Sequence, residues 1–175
     1  MIIIVIIAVI SLSGCITDNN QSKTYSVNGL SFNYPSSWME GKSNSEGAVV
    51  SLFNPNNNGS TIVIQQVPLD RGSDLDTVFK NNNQNLSTDP NYVSLSQGAT
   101  KVNGRDAQLN IYTTIDSNSI QRKHIACWMK MDDNRIYVIL LSTNYQDYDN
   151  EKENFNQVAN SFNVTSSGST NNTTN

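Results

Sequence analysis

Six consecutive residues, Ile136-Tyr-Val-Ile-Leu-Leu141, offer no charged or strongly polar side chain to either face of an extended chain. Successive side chains of a strand point to opposite sides of its sheet. A strand that is apolar on both sides belongs inside a sheet covered on both faces. This run therefore asks for helices on both sides of at least part of a sheet. The Asp133-Asn134 pair before it turns the chain out of a preceding strand, Ile120 to Met131.

The other segments supply that sheet and its covers. Asn28-Gly29 separates Tyr25–Val27 from Leu30–Tyr34, and Asn103-Gly104 joins a strand ending at Val102 to an alternating run through Ala107, Leu109, Ile111, Thr113 and Ile115. Asn-Gly tolerates the two positive φ angles of a type I′ turn, so both sites read as two-residue hairpins. Pro35 closes the second strand. Ala48–Phe53 and Thr61–Val67 are two more β-rich runs, joined by the Asn-Pro-Asn-Asn-Asn-Gly loop at 54–59. Two segments have helical spacing instead. In the first, Ser73 is expected to cap, with Asp76 three residues on. Leu75, Val78, Phe79, Asn82 and Leu86 then form a stripe that should stop before Asp89-Pro90. The second runs from Gln146 to Phe162, with Tyr148, Phe155, Val158, Ala159 and Phe162 as its apolar face. The expected class is α+β: an antiparallel β-sheet with helices packed on both faces, an α/β/α sandwich.

The N-terminus reads differently. Ile2 to Ile10 is unbroken aliphatic sequence, too short to span a bilayer but as long as a signal-peptide core. Leu12-Ser13-Gly14-Cys15 follows and resembles the lipobox of exported lipoproteins at all four positions. That resemblance implies a diacylglyceryl group on the Cys15 thiol, cleavage just before it, and attachment to the extracytoplasmic face of the cell membrane. No Lys or Arg precedes the apolar run, which departs from the usual positive n-region. The expected division is a signal peptide over 1–15, a polar tether over 16–24, one folded domain over 25–164 and a Ser/Thr/Asn tail over 165–175.

The opening Tyr-x-x-x-Gly-Leu-Ser-Phe-x-Tyr-Pro-x-x-Trp, Tyr25 to Trp38, resembles the start of PsbP-like domains. The close is also similar: a hydrophobic strand, then a helix ending Val158-Ala-Asn-Ser161-Phe162. The same Mog1/PsbP/DcrB-like layout occurs in bacterial and archaeal lipoproteins. The resemblance implies an antiparallel sheet between helices and mostly non-enzymatic accessory or binding roles. Its motifs are apolar and concern the fold, so no functional residue is carried over.

Charge and chemistry narrow the field further. The net charge is −4 with 15% charged residues and no basic cluster, which gives no footing for nucleic acid or for a polybasic membrane patch. Cys127 and His124 are the obvious thiol–base pair, but three residues apart on a strand places them on opposite faces. Cys127 shares its side with Ile125, Met129 and Met131, the company of an inert core cysteine. His124 is the only histidine, so metal candidates reduce to Asp132 and Asp133, or Asp147, Asp149, Glu151 and Glu153. A turn and an acidic first helical turn explain those without a metal. No phosphate-binding loop or nucleophile elbow is present, and no cofactor is expected. Trp38, Tyr112 and Trp128 are the aromatic candidates for lining a ligand cleft. Six sequons occur, at Asn20, Asn58, Asn85, Asn163, Asn171 and Asn172; the tail and the 54–59 loop are the expected acceptors if exported proteins are glycosylated. The expected role is a non-catalytic, lipid-anchored binding or accessory module with a protein partner. The alternative is a carrier of a sugar or lipid in a cleft beside the sheet.

Overall fold

A computed structural model describes residues 21–70, 72–132 and 135–165. The leader, Cys15, Asn20 and the tail beyond residue 165 lie outside the described residues, as does Asp133. Ten strands and two helices follow in the order β1 (Ser22–Val27), β2 (Leu30–Pro35), β3 (Met39–Gly41), β4 (Ala48–Phe53), β5 (Thr61–Pro68), α1 (Leu75–Leu86), β6 (Val93–Val102), β7 (Arg105–Ile115), β8 (Gln121–Asp132), β9 (Arg135–Asn144), α2 (Tyr148–Ser161) and β10 (Asn163–Val164). The fold is α+β with antiparallel sheets, as expected.

The apolar run falls in β9, the middle strand of a seven-stranded sheet ordered β3-β4-β5-β9-β8-β7-β6. Its two faces enter two separate cores. Tyr137, Ile139 and Leu141 face α2 and join Phe155, Val158, Ala159 and Phe162. Ile136 and Val138 face the other way and pack with Phe79 of α1 and with Ala126 and Trp128 of β8. Each helix thus covers one face, which is what a strand without a polar side requires.

Both Asn-Gly turns form as the residues dictate. Asn28 and Gly29 have φ of 51° and 80°, and Asn103 and Gly104 have 49° and 76°. The first hairpin does not join the main sheet. It takes β10 as a third strand, giving the order β1-β2-β10, with Asn163 opposite Ser31 and Val164 opposite Leu30. Its inner residues Tyr25, Phe32 and Tyr34 pack into the α2 core. β1 also begins at Ser22, inside the segment read as tether, because Ser22 to Thr24 pair with Asn33 to Pro35.

The cap of α1 corrects the expectation at Ser73. Asp74 is the capping residue, and its carboxylate accepts from the Thr77 N–H at 2.7 Å. An Asp one residue later reaches the third helical amide directly, so the Ser73–Asp76 box is not used. The stripe of α1 is only partly buried: Phe79 is covered, Leu75, Val78, Asn82 and Leu86 are half-exposed, and the buried asparagine is the next residue, Asn83. Helix α2 buries its whole apolar stripe after a single 3₁₀ turn at Tyr145–Asp147.

Candidate functional site

Helix α1 lies off-centre on its face of the sheet, and this offset makes a cleft. Three contacts fix it over β7 and β8. The Phe79 and Trp128 rings meet edge-on at 6.1 Å. The buried Asn110 amide donates to Asn83 Oδ1 at 2.7 Å. Gln108 Nε2 donates to Asp76 Oδ1, also at 2.7 Å. The helix therefore leaves β5 and β9 uncovered beside it. The resulting cleft has a volume of about 750 Å³. Val67, Val138, Leu140, Ala126 and Trp128 form its floor, with Tyr112 at one end. Gln65 from β5 faces Asn81, Asn82 and Asn85 from α1 across it, while the Gln66 side chain turns to the other face and accepts from the Tyr137 hydroxyl at 3.0 Å. A largely apolar concavity with a few polar groups, in the range of roughly 300–1,000 Å³, is the usual form of a small-ligand site.

One wall of this cleft depends on a glycine. Gly47 has φ of +70°, and a Cβ added there would sit 2.6 Å from the Gln66 carbonyl oxygen. Its own carbonyl accepts the Gln66 N–H at 2.8 Å. Gly47→Ala is expected to cost about 2 kcal/mol, combining left-handed strain with displacement of β5. A urea titration reads this as a lower midpoint at constant slope.

Two of the three aromatic candidates reach the cleft, Tyr112 and Trp128. Trp38 does not: it is 1% exposed and sealed in the opposite core with Phe32 and Leu52. Its position after the Pro35 turn, whose carbonyl accepts the Trp38 N–H at 2.9 Å, drives the ring inward. Trp128 is 93% covered, and its indole N–H has no hydrogen-bond partner among the described residues.

Beside the cleft lies a chain of three rings in contact. Tyr92 meets Tyr112 at 5.3 Å, and Tyr112 stacks on His124 at 4.6 Å. Burial, with Tyr92 alongside, pushes the Tyr112 phenol up to about 12. Burial, and then the charge of Arg122, holds His124 down to about 4. His124 Nε2 pairs with the Thr114 hydroxyl at 2.9 Å, and its buried Nδ1 has no hydrogen-bond partner among the described residues. At neutral pH this is a neutral imidazole beside a neutral phenol, a poor acid–base couple. The carboxamides nearby bond one another: Asn83 donates to Gln97, and Gln97 donates to the Tyr92 hydroxyl and to Ser94.

Cys127 and His124 lie on opposite faces of β8. The thiol is fully buried in the α2 core, where desolvation pushes it up to about 12. A thiol with that pKa holds almost no thiolate at neutral pH, so it is chemically quiet. Among the described residues no group of three or more His, Cys, Asp or Glu converges to hold a metal. Glu151 was read with Asp147, Asp149 and Glu153 as an acidic first turn, but its carboxylate is buried. It accepts from Asn54 at 2.9 Å, Asn57 at 3.2 Å and Asn154 at 2.8 Å, and so straps the 54–60 loop to α2. In that loop Asn58 is exposed, while its sequon partner Ser60 is buried against the Thr143 hydroxyl at 2.7 Å. The Asn54-x-x-Asn57 pair approaching a helical Glu was the signal in the sequence, but it shows only once the loop is placed.

Comparison with known proteins gives a consistent picture. A family model described as PsbP-like protein matches residues 10–164. No curated protein sequence matches the chain. The solution structure of cyanobacterial PsbP, CyanoP, from Synechocystis sp. PCC 6803 superposes with a TM-score of 0.64 at 19% identity, covering 88% of this chain and 99% of that one. LpqN of Mycobacterium tuberculosis, described as involved in cell envelope biogenesis, gives 0.62 at 14%, covering 83% and 91%. The Saccharomyces cerevisiae Ran-binding protein Mog1p gives 0.57 at 8%, covering 82% and 95%. At these identities the structures share the fold with this chain.

Proposed function

The chain belongs to the PsbP-like protein family, and from that membership we propose that it is a non-catalytic accessory module of the cell envelope, held at the outer face of the membrane by lipid on Cys15 and binding a protein of an envelope complex. The observation that carries this reading is the separation of its reactive groups. The single described thiol is sealed in one core, the histidine is neutral on the other face, and the carboxamides on the histidine's face are engaged with each other. What the molecule offers instead is shape: a cleft beside α1, open to a partner. Membership of the PsbP-like family and the description of LpqN as involved in cell envelope biogenesis support an envelope role. Among the described residues no helix is long and apolar enough to cross a membrane.

A second reading is favoured by the cleft itself. Its volume and its Tyr112–Trp128 lining suit a carrier of a small ligand. One experiment bears on both. The intact protein is isolated from native membranes by a gentle affinity step, and everything retained is identified by mass spectrometry. The accessory reading expects an envelope protein in near-equal amount. The carrier reading expects a small molecule and no protein. Recovery of the chain from the aqueous fraction, alone and with a free Cys15 thiol, contradicts the anchored module.

A further inference from the structure

Taking the cleft as a ligand site, as the second reading does, we propose that it selects an uncharged amphiphile: an apolar body on the floor beside α1, and hydroxyl or carbonyl groups against the carboxamide walls. The floor provides the first half. Val67 and Leu140 are half-exposed aliphatic side chains on β5 and β9 that no helix covers, continuous with the buried Val138 and Ala126. Apolar surface left open in this way is what a hydrocarbon body removes from water.

The walls provide the second half. Gln65, Asn81, Asn82 and Asn85 each carry a carbonyl acceptor and an NH₂ donor. A hydroxyl, which both donates and accepts, matches such a rim whichever way it turns. Trp128, on the floor, also keeps an indole N–H that lacks an acceptor among the described residues.

Charge decides the class. Among the described residues no Lys, Arg or His lines the cleft, and the one carboxylate there is the exposed Glu46. A carboxylate or phosphate seated there would lose its water and meet no cation, a heavy cost. The chain's net charge of −4 adds a repulsion that steers anions away. A cationic head would find only Glu46, in full contact with solvent, where ion pairs contribute little. An uncharged head incurs neither penalty and uses every carboxamide.

The two tryptophans make the test direct. Trp128 lines the cleft and Trp38 is sealed in the other core, so an emission change on titration reports Trp128. The chain from residue 16, which keeps both described cores whole, is titrated with 1-decanoylglycerol below its micelle threshold. Decanoate and decyltrimethylammonium, of equal chain length, are the charged comparators. The expected result is a saturable response to the glyceride, about tenfold tighter than to either ion. Asn85→Lys, an exposed substitution at the rim, is expected to raise decanoate affinity to within about threefold of the glyceride without altering the fold. Equal or tighter binding of an ion by the unsubstituted chain overturns the uncharged class and leaves the cleft as a site. No response to any of the three at their solubility limits overturns the class and the cleft reading together.

Discussion

Phe162→Ala is expected to cost about 3–5 kcal/mol, the range for removing a well-packed core aromatic. Phe162 closes α2, where its N–H reaches the Ala159 carbonyl at 3.3 Å. Its ring is 2% exposed and touches two sheets at once: Phe32 of the hairpin sheet at 6.4 Å and Tyr137 of the central strand at 5.5 Å. No other element can move in to fill the space, because α2, β2 and β9 are each held by their own ladders or helical bonds. The residual cavity should therefore stay open, which is the condition that gives the upper end of the range. A domain of this size has a total stability of roughly 5–15 kcal/mol, so the variant should melt far below the parent. Urea unfolding monitored by tryptophan emission checks this. A loss under about 1 kcal/mol would mean that the hairpin sheet and the main sheet are not joined through this ring.

Acidification should destabilise the fold through His124. The imidazole is held down to about 4 in the folded chain, against an ordinary value of 6.5. Between those values the unfolded chain binds a proton that the folded one refuses, so stability rises with pH across that window and falls as pH drops through it. Two and a half units correspond to about 3 kcal/mol at full development, reached near pH 4. The cause is physical: a charged ring would be buried against Tyr112, near Arg122, with its Nδ1 N–H lacking an acceptor. Carboxylates titrate in the same range, so the readout is a difference. Melting curves at pH 7 and pH 4 are compared for the parent and for His124→Gln. The parent should lose about 3 kcal/mol more than the variant over this interval. Parallel losses would show that His124 is solvated and titrates normally.

The central strand, both hairpin turns and both helical stripes were readable because each is a local pattern. Ile136–Leu141 shows its two-sided burial in six letters, and Asn28-Gly29 and Asn103-Gly104 declare the positive φ angles they adopt. The missed features are those that depend on distant partners. β3 is three residues long and exists because Met39 to Gly41 pair with Ser51 to Phe53. β10 exists because Asn163 and Val164 meet β2, at the far end of the chain. Val93 to Val102 is an exposed edge, so the upstream half of that hairpin carries no burial alternation to read. Asn83 and Asn110 look like surface residues and are buried against each other.

The cleft was the least legible feature. Tyr112 and Trp128 could be named from composition, and Trp38 was named with them although it packs elsewhere. What creates the space is the sideways position of α1, fixed by Phe79, Asn83 and Asp76 gripping β7 and β8. Nothing in the spacing of the helix says which half of a sheet it will cover. The half-exposed Val78 and Leu86 mark the side left open.

The mass of the N-terminal peptide from membrane-extracted native protein tests the central claim most directly. The anchored-module account expects the mature chain to begin at Cys15, with a thioether-linked diacylglyceryl group adding the mass of two acyl chains and the glycerol that joins them. A native chain that still starts with Met1, or one whose Cys15 carries a free thiol, would contradict it.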